Sequence, residues 1–109
     1  MRRGEIYLAD LPAPVGPRPV LVVVREEGMR RRRRIVVAPL TTRIRQLESE
    51  LPLGSDDGLS RQSVAQCDAL QAVDRTLLES RPIGRIAPEK LEPLNEAIRF
   101  ALDVRCPPA

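Results

Sequence analysis

Hydrophobic residues up to about residue 88 either alternate with polar residues or form short unbroken blocks. Alternation is typical of strands with one buried face, and unbroken blocks are typical of strands buried on both faces. The predicted strands span about 3–10, 19–25, 35–40, 50–53, 63–70 and 83–86. Within the first of them, Ile6 and Leu8 lie on one side and Glu5 and Tyr7 on the other, which predicts a half-buried strand.

The hydrophobic period changes after Pro88. Apolar residues then recur at helical spacing, which predicts one amphipathic helix over 89–104. Its apolar stripe consists of Leu91, Leu94, Ile98, Ala101 and Leu102. Pro93 should kink this helix or delay its regular start, and residues 105–109 are expected to form a frayed tail.

The segments between the predicted strands are short and rich in turn residues. Thr42 is a candidate cap for a short turn of helix over 42–47, and 75–79 is expected to make one helical turn. Connections of this length favour an antiparallel sheet or small barrel with the last helix packed on it. We therefore expect an α+β, mainly β fold and a single domain over 1–109, with its core at about 3–104.

Composition excludes several classes of function. The chain has no histidine, which rules out Ser–His and Cys–His nucleophilic sites and removes the commonest zinc ligand. Tyr7 and Phe100 are its only aromatic residues, which argues against modules that stack RNA bases on a row of rings. Cys67 and Cys106 stand far apart, which favours a reduced cytosol over a disulfide framework. No apolar run matches a membrane helix or signal peptide, so we expect a cytoplasmic protein without a membrane partner.

Positive charge in this chain is carried almost entirely by arginine. The formal net charge is +3, and Lys90 is the one cation that is not arginine. Such an excess suits phosphate binding, and it equally suits a genome with a biased codon supply. Arg30–Arg34 is an unbroken run that would draw in nucleic acid in a salt-dependent way, although such runs usually lie in solvent between elements.

Arg18 stands between Pro17 and Pro19, directly before the most apolar block of the chain. Each proline fixes its own φ and favours extended backbone before it, so the arginine has a stiff mount. A guanidinium held in this way can grip a phosphate through two hydrogen bonds. The same three residues are also compatible with an ordinary turn whose arginine points into water.

Several short motifs, in order along the chain, resemble those of the MazF/PemK family of ribonuclease toxins. They are 3–11 (RGEIYLADL), 18–22 (RPVLV), 37–41 (VAPLT), 67–68 (CD), 73–74 (VD) with Leu77, and 83–86 (IGRI). Each motif is weak alone, but their order over about 3–104 is specific. The resemblance implies a compact SH3-like antiparallel barrel, a homodimer, and sequence-specific cleavage of single-stranded RNA (mRNA) without metal or cofactor.

The same resemblance implies which residues act. Arg18 and Thr41 match the catalytic positions: the arginine would bind the phosphate oxygens and the threonine would fix the pose by a hydrogen bond. The 2′-hydroxyl of the RNA would attack, leaving a 2′,3′-cyclic phosphate and a 5′-hydroxyl. Further substrate contacts are expected from Asp68, Gln71, Thr42 and Arg43. A MazE-like antitoxin peptide would lie across the same groove.

This chain departs from the family pattern at two places. Only Pro17 separates Gly16 from Arg18, so the loop that covers the groove in other members is shortened, and Gln71 stands where many members have arginine. Two other functions remain open on these residues: a non-enzymatic toxin that binds a protein target, as the gyrase-inhibiting CcdB toxins do, and a nucleic-acid-binding module with a basic groove. The pairing of Arg18 with Thr41, each at the end of a buried strand, favours the nuclease.

Overall fold

The computed structural model describes residues 1–105, which form a curled antiparallel sheet with one helix packed on it. The strands are β1 (Glu5–Asp10), β2 (Pro17–Val22), β3 (Arg34–Thr41), β4 (Glu50–Leu53), β5 (Ser63–Gln66), β6 (Gln71–Asp74) and β7 (Gly84–Arg85). The helix α1 spans Leu91–Leu102. Short 3₁₀ turns occupy Met29–Arg31, Ser55–Asp57, Cys67–Ala69, Arg75–Leu77 and Pro88–Lys90. The expected fold class, α+β and mainly β with a C-terminal helix, is confirmed.

Strand β3 organises the sheet because it pairs with three other strands. The strand order is β4-β5-β3-β2-β1-β7, and β6 also pairs with β3. On one edge of β3, β5 pairs with Leu40 and Thr41, whereas β6 pairs with 34–37. The chain must therefore turn between β5 and β6 to continue along the same edge. It does so through the 3₁₀ turn Cys67–Ala69, so the strand predicted over 63–70 is wrong beyond Gln66.

The sheet is covered on both faces, which gives two cores. The helix-side core lies beneath α1 and includes Ile6, Leu21, Val23, Ala38, Leu40, Leu51, Leu53, Ala65, Cys67, Ile86, Leu94 and Ala97. The loop-side core lies beneath connecting segments and includes Tyr7, Ala9, Leu11, Val20, Val22, Met29, Ile35, Val37, Val73 and Leu78. Tyr7 is therefore buried and Leu8 only half-buried, which corrects the expectation that Leu8 faces the core and Tyr7 the other side.

The C-terminal helix forms close to where the hydrophobic period predicts it. Leu94 and Ala97 are buried, whereas Leu91 and Leu102 at its ends are exposed, so the predicted stripe is correct only in its middle. Pro93 lies in the first turn of α1, where its missing N–H breaks no helical hydrogen bond. The 3₁₀ turn before Leu91 fits the expected delay of the regular helix. Of the predicted tail, Arg105 is exposed, and residues 106–109 lie outside the described part of the chain.

The helical turn predicted over 42–47 is wrong. This segment has no regular structure, and the buried Glu50 carboxylate accepts a hydrogen bond from the backbone N–H of Arg45 at 3.0 Å. Gln46 has a φ of 59°, which a right-handed helix does not allow. Thr41, one residue before the expected cap, accepts from the N–H of Arg43 instead.

Asp57 ties together two loops at the edge of the helix-side core. Its carboxylate, which has no exposed surface, accepts hydrogen bonds from Gly54 N at 2.8 Å, Ala87 N at 2.9 Å and Lys90 Nζ at 2.6 Å. Burial raises the pKa of Asp57, but the Lys90 ammonium and the two amides outweigh that effect and hold the pKa below its usual value. Gly84 packs so closely here that a Cβ on it would lie 2.2 Å from the Asp57 carbonyl oxygen.

Candidate active site

Arg18 and Thr41 lie on neighbouring strands at the same end of the sheet. The β2–β3 register pairs Val20 with Pro39, and the same register, continued by two residues, sets Arg18 against Thr41. Alternation along each strand puts both side chains on the face of Val20 and Val37, which is the loop side. The antiparallel pairing of β2 and β3 therefore juxtaposes the two residues that the sequence motifs single out.

The Arg18 guanidinium is available to a ligand. Arg18 is half-buried and lies opposite Ala9 of β1, so its backbone is fixed by the sheet. Within residues 1–105, its side chain makes no ion pair and no hydrogen bond. A guanidinium has donors in a fork that matches two oxygens of one phosphate. A bound anion would therefore find these donors unoccupied.

The Thr41 hydroxyl is fixed on one side and open on the other. Its oxygen accepts a hydrogen bond from the N–H of Arg43 at 3.1 Å, and its backbone pairs with Val64 of β5. A hydroxyl carries one donor as well as acceptor positions, so the O–H of Thr41 remains free to donate. Next to an open guanidinium, this arrangement is suited to binding the oxygens of a phosphodiester.

Two of the other predicted substrate-binding residues lie beside this pair. Thr42 and Arg43 follow directly on β3, and both side chains are exposed. Their backbone is held by the Thr41 hydroxyl on one side and by the contact of Glu50 with Arg45 on the other. The structure therefore brings a second arginine to the end of the sheet where Arg18 lies.

Asp68 and Gln71 lie farther from the Arg18–Thr41 pair. Asp68 is exposed in a 3₁₀ turn that packs on α1, and its carboxylate accepts a hydrogen bond from the buried Ser49 hydroxyl. Gln71 pairs with Val37, four residues before Thr41 on β3, which is about 13 Å along the strand. Within one chain, neither is a direct neighbour of the two central residues.

A cleft of about 320 Å³ opens at the same end of the sheet but on the helix side, because alternation turns its lining residue Pro19 away from the face of Arg18. It contains an arginine that no sequence motif marks. Its lining residues are Pro19, Thr42, Gly58, Leu59, Ser60, Arg61, Ser63 and Ile83. Arg61 is exposed and follows an irregular turn, so only the three-dimensional structure shows that it lies near Thr42. Together with Arg18 and Arg43, it makes this end of the sheet basic.

A larger groove, of about 670 Å³, lies elsewhere, between β4 and α1, and includes the exposed Phe100 and Val104. It is separated from Arg18 and Thr41 by the sheet.

Among residues 1–105, no three cysteine or acidic side chains lie close enough together to hold a metal ion. No helix in this part of the chain is both long and apolar enough to cross a membrane.

Comparison with known proteins identifies the family. Residues 2–102 match the family described as PemK-like, MazF-like toxin of type II toxin–antitoxin systems. The chain is 38% identical over 103 residues to the probable endoribonuclease MazF5 of Mycobacterium tuberculosis, covering 93% of this chain and 92% of the relative. It is 37% identical over 87 residues to endoribonuclease MazF3 of the same species, covering 80% of this chain and 84% of the relative.

Solved structures agree with the sequence comparison. The Mycobacterium tuberculosis toxin MazF-mt6 has a TM-score of 0.86 at 34% identity, with 94% of this chain and 99% of that chain covered. An endoribonuclease from a mycobacterial species, solved in complex with its cognate antitoxin, has a TM-score of 0.85 at 25% identity, with 98% and 99% covered. The resemblance of the motifs is thereby confirmed, together with the barrel-like fold that it implied. This chain belongs to the PemK/MazF-like family of toxins of type II toxin–antitoxin systems and is an endoribonuclease.

Proposed function

We propose that this chain cleaves single-stranded RNA at short sequences, without a metal, at the site formed by Arg18 and Thr41. The proposal rests on the β2–β3 register, which sets Arg18 beside Thr41. The unpaired guanidinium and the hydroxyl with its free donor lie on the same face of the sheet, on adjacent strands. RNA brings its own nucleophile, so the protein needs to supply position and charge stabilisation rather than an activated side chain.

The reaction that fits this site is a transesterification within the RNA. The 2′-oxygen bonds to the adjacent phosphorus, the bond from phosphorus to the 5′-oxygen breaks, and a 2′,3′-cyclic phosphate and a 5′-hydroxyl result. One proton leaves the 2′-oxygen and one reaches the 5′-oxygen, so no other reactant is consumed. Arg18 would bind the non-bridging oxygens as their charge grows, and Thr41 would donate a hydrogen bond that fixes the phosphate.

The flanking residues would hold RNA that extends beyond the cleaved bond at this end of the sheet. Arg43 and Arg61 place positive charge at the same end of the sheet, and Thr42 adds a hydroxyl. Phosphate contacts of this kind position the strand without reading its sequence. Gln71, about 13 Å along β3 from Thr41, would contact a more distant nucleotide. Asp68 would act only at the periphery, since its carboxylate is engaged by Ser49.

We further propose that residues 3–104 act as one domain in a homodimer, in the cytoplasm where mRNA is translated, and that a MazE-like antitoxin peptide inhibits the enzyme. A structural relative is described in complex with its cognate antitoxin. The loop before Arg18 folds back on itself, with Val15 N donating to Pro12 O at 3.1 Å, and Leu11 is buried in the loop-side core. An acidic peptide would therefore reach Arg18 directly and compete with RNA.

The test is cleavage of a defined single-stranded RNA by the purified chain in EDTA, with the 5′ ends mapped and the cyclic phosphate detected. Arg18→Ala should lower the rate about a hundredfold or more, because it removes a charge-assisted contact made in the transition state. Arg81→Ala, at an exposed arginine outside the site, is the matched control. Circular dichroism should show both variants folded.

Three results would contradict the proposal. A folded Arg18→Ala variant that cleaves at the parental rate would remove Arg18 from the site. Cleavage that EDTA abolishes would show that the reaction needs a metal. RNA binding by the parent without any cleavage would favour a nucleic-acid-binding module.

A further inference from the structure

The five consecutive arginines, Arg30–Arg34, form a surface that the proposed reaction does not use; we name it the arginine loop. It connects β2 to β3 at the end of the sheet opposite to Arg18 and Thr41. Strand β3 runs from Arg34 to Thr41 over eight residues, which places the two basic regions about 23 Å apart along the strand.

The arginine loop lies over the same face of the sheet as the proposed site. Met29, directly before it, is only 5% exposed and packs in the loop-side core with Tyr7 and Val22. Arg18 and Thr41 point to that same face by strand alternation. The two basic regions therefore lie on the same side of the sheet, at its opposite ends.

The backbone of the arginine loop is held in place. The Arg75 guanidinium donates hydrogen bonds to the carbonyl oxygens of Arg30 at 3.1 Å and Met29 at 2.6 Å. The backbone N–H of Arg75 donates to Arg33 O at 2.8 Å. A run of like charges that merely lies in solvent needs no such support. The contacts fix the path of the chain, while four of the five side chains stay exposed and that of Arg32 is half-buried.

Most of the charge in the arginine loop is unpaired. Within the described residues, Arg33 alone of the five forms an ion pair, with Asp74 at 3.5 Å. Arg30, Arg31 and Arg34 are exposed and form no ion pair within residues 1–105. A cleft beside the loop is lined by four arginines and two glutamates, which gives it a net positive charge; they are Arg2, Arg30, Arg31, Arg75, Glu26 and Glu27.

We propose that the arginine loop is a second phosphate-binding surface, which holds the backbone of the RNA strand that is cleaved at Arg18. This inference rests on the proposed function. The distance of about 23 Å between the two basic regions corresponds to about seven stacked nucleotides. Only RNA at least that long can contact Arg18 and the arginine loop at the same time. The arginine loop increases the affinity for long strands and adds no sequence preference.

The experiment measures binding with a strand that cannot be cleaved. The probe is 2′-O-methylated oligouridine of about twenty nucleotides, compared with one of about four, followed by fluorescence anisotropy between about 50 and 200 mM salt. Arg30→Ser/Arg31→Ser is the test variant, since Arg75 binds backbone carbonyls that serine retains. Arg81→Ser/Arg85→Ser removes the same charge from exposed positions outside the loop. Arg30→Lys/Arg31→Lys keeps the charge.

Loss of two phosphate contacts should reduce the slope of log affinity against log salt concentration by about 1.4 for the long probe. The affinity lost by the serine variant, relative to the parent, is then about sevenfold larger at 50 than at 200 mM salt. The lysine variant should keep the parental slope, and the short probe should not distinguish the variants. An unchanged slope for the serine variant, or an equal change in the Arg81/Arg85 control, would refute the proposal of a second phosphate-binding surface. Cleavage of RNA by the parent tests the proposed function separately, so the two ideas can fail independently.

Discussion

Removing the Asp57 carboxylate should destabilise the protein more than removing its partner ammonium. Asp57→Ala leaves the amides of Gly54 and Ala87 without an acceptor inside the protein, and each orphaned donor costs about 1–3 kcal/mol. The Lys90 side chain is 25% exposed, so its freed charge can turn to water at little cost. The expected loss is about 3–5 kcal/mol, which corresponds to a fall in Tm of about 12–20 °C for a domain of this size.

Lys90→Met removes only one of the three contacts. The buried carboxylate keeps both amides, so the expected loss is about 2 kcal/mol. The double variant should cost little more than Asp57→Ala alone, because the lysine contact is already gone. Urea and thermal unfolding followed by circular dichroism at neutral pH measure all three losses. Equal losses for the two single variants, or additive losses in the double variant, would refute the reasoning.

The pH dependence supplies a second readout of the same contact. The folded-state pKa of Asp57 lies below its ordinary value of 3.8, so its contribution to stability is present above that value and is lost as the pH falls through the folded pKa. Asp57→Asn, which keeps one acceptor and cannot titrate, should be less stable than the parent at neutral pH. Its deficit should shrink in acid, and a deficit that grows in acid would contradict the sign of the shift.

Three further outcomes are expected. Thr41→Val should lower the rate of RNA cleavage about tenfold or more while changing the free energy of unfolding by only about 1 kcal/mol. If thermal unfolding shows a loss of stability but the cleavage rate is unchanged, Thr41 is a structural residue. Gly84→Ala should prevent stable folding, because the new Cβ meets the carbonyl of Asp57, and a parental unfolding curve would show that the loop yields easily. Burial raises the pKa of Cys67 to about 11, so its thiol should be unreactive at neutral pH while the protein is folded. In a Cys106→Ser variant, a disulfide reagent should therefore react with Cys67 only after unfolding, and rapid reaction with the folded protein would contradict this burial.

The sequence motifs marked Arg18 and Thr41, and the structure sets these two residues side by side; their role in RNA cleavage stays a prediction. Arg18 stands out because prolines flank it at the start of an apolar strand, whereas Thr41 stands out only through the resemblance of its motif to that of a known family; the β2–β3 pairing sets the two together. Arg61 has neither of these signals. Its place beside Thr42 depends on how the chain after β4 folds back, which no local pattern encodes.

The errors in secondary structure share one cause, which is that tertiary contacts overrode local preference. Alternation around Tyr7 cannot show that connecting segments cover the second face of the sheet. Strand β6 contains one buried residue, Val73, and is a strand because β3 offers it an unpaired edge. The segment 42–47 stays irregular because a carboxylate beyond it, that of Glu50, accepts a hydrogen bond from the backbone N–H of Arg45.

The two faces of the sheet are covered by different kinds of structure, so we expect the two cores to unfold locally at different free energies. The twelve residues of α1 cover the helix-side core, whereas short 3₁₀ turns such as Met29–Arg31 and Arg75–Leu77 close the loop-side core. Segments with little regular structure open at lower free energy than the rest. Amide hydrogens in these turns should therefore exchange with solvent long before those of α1, and β3, which belongs to both cores, should exchange last. A ligand bound on the loop side would then register as slowed exchange in the turns with no change in the helix.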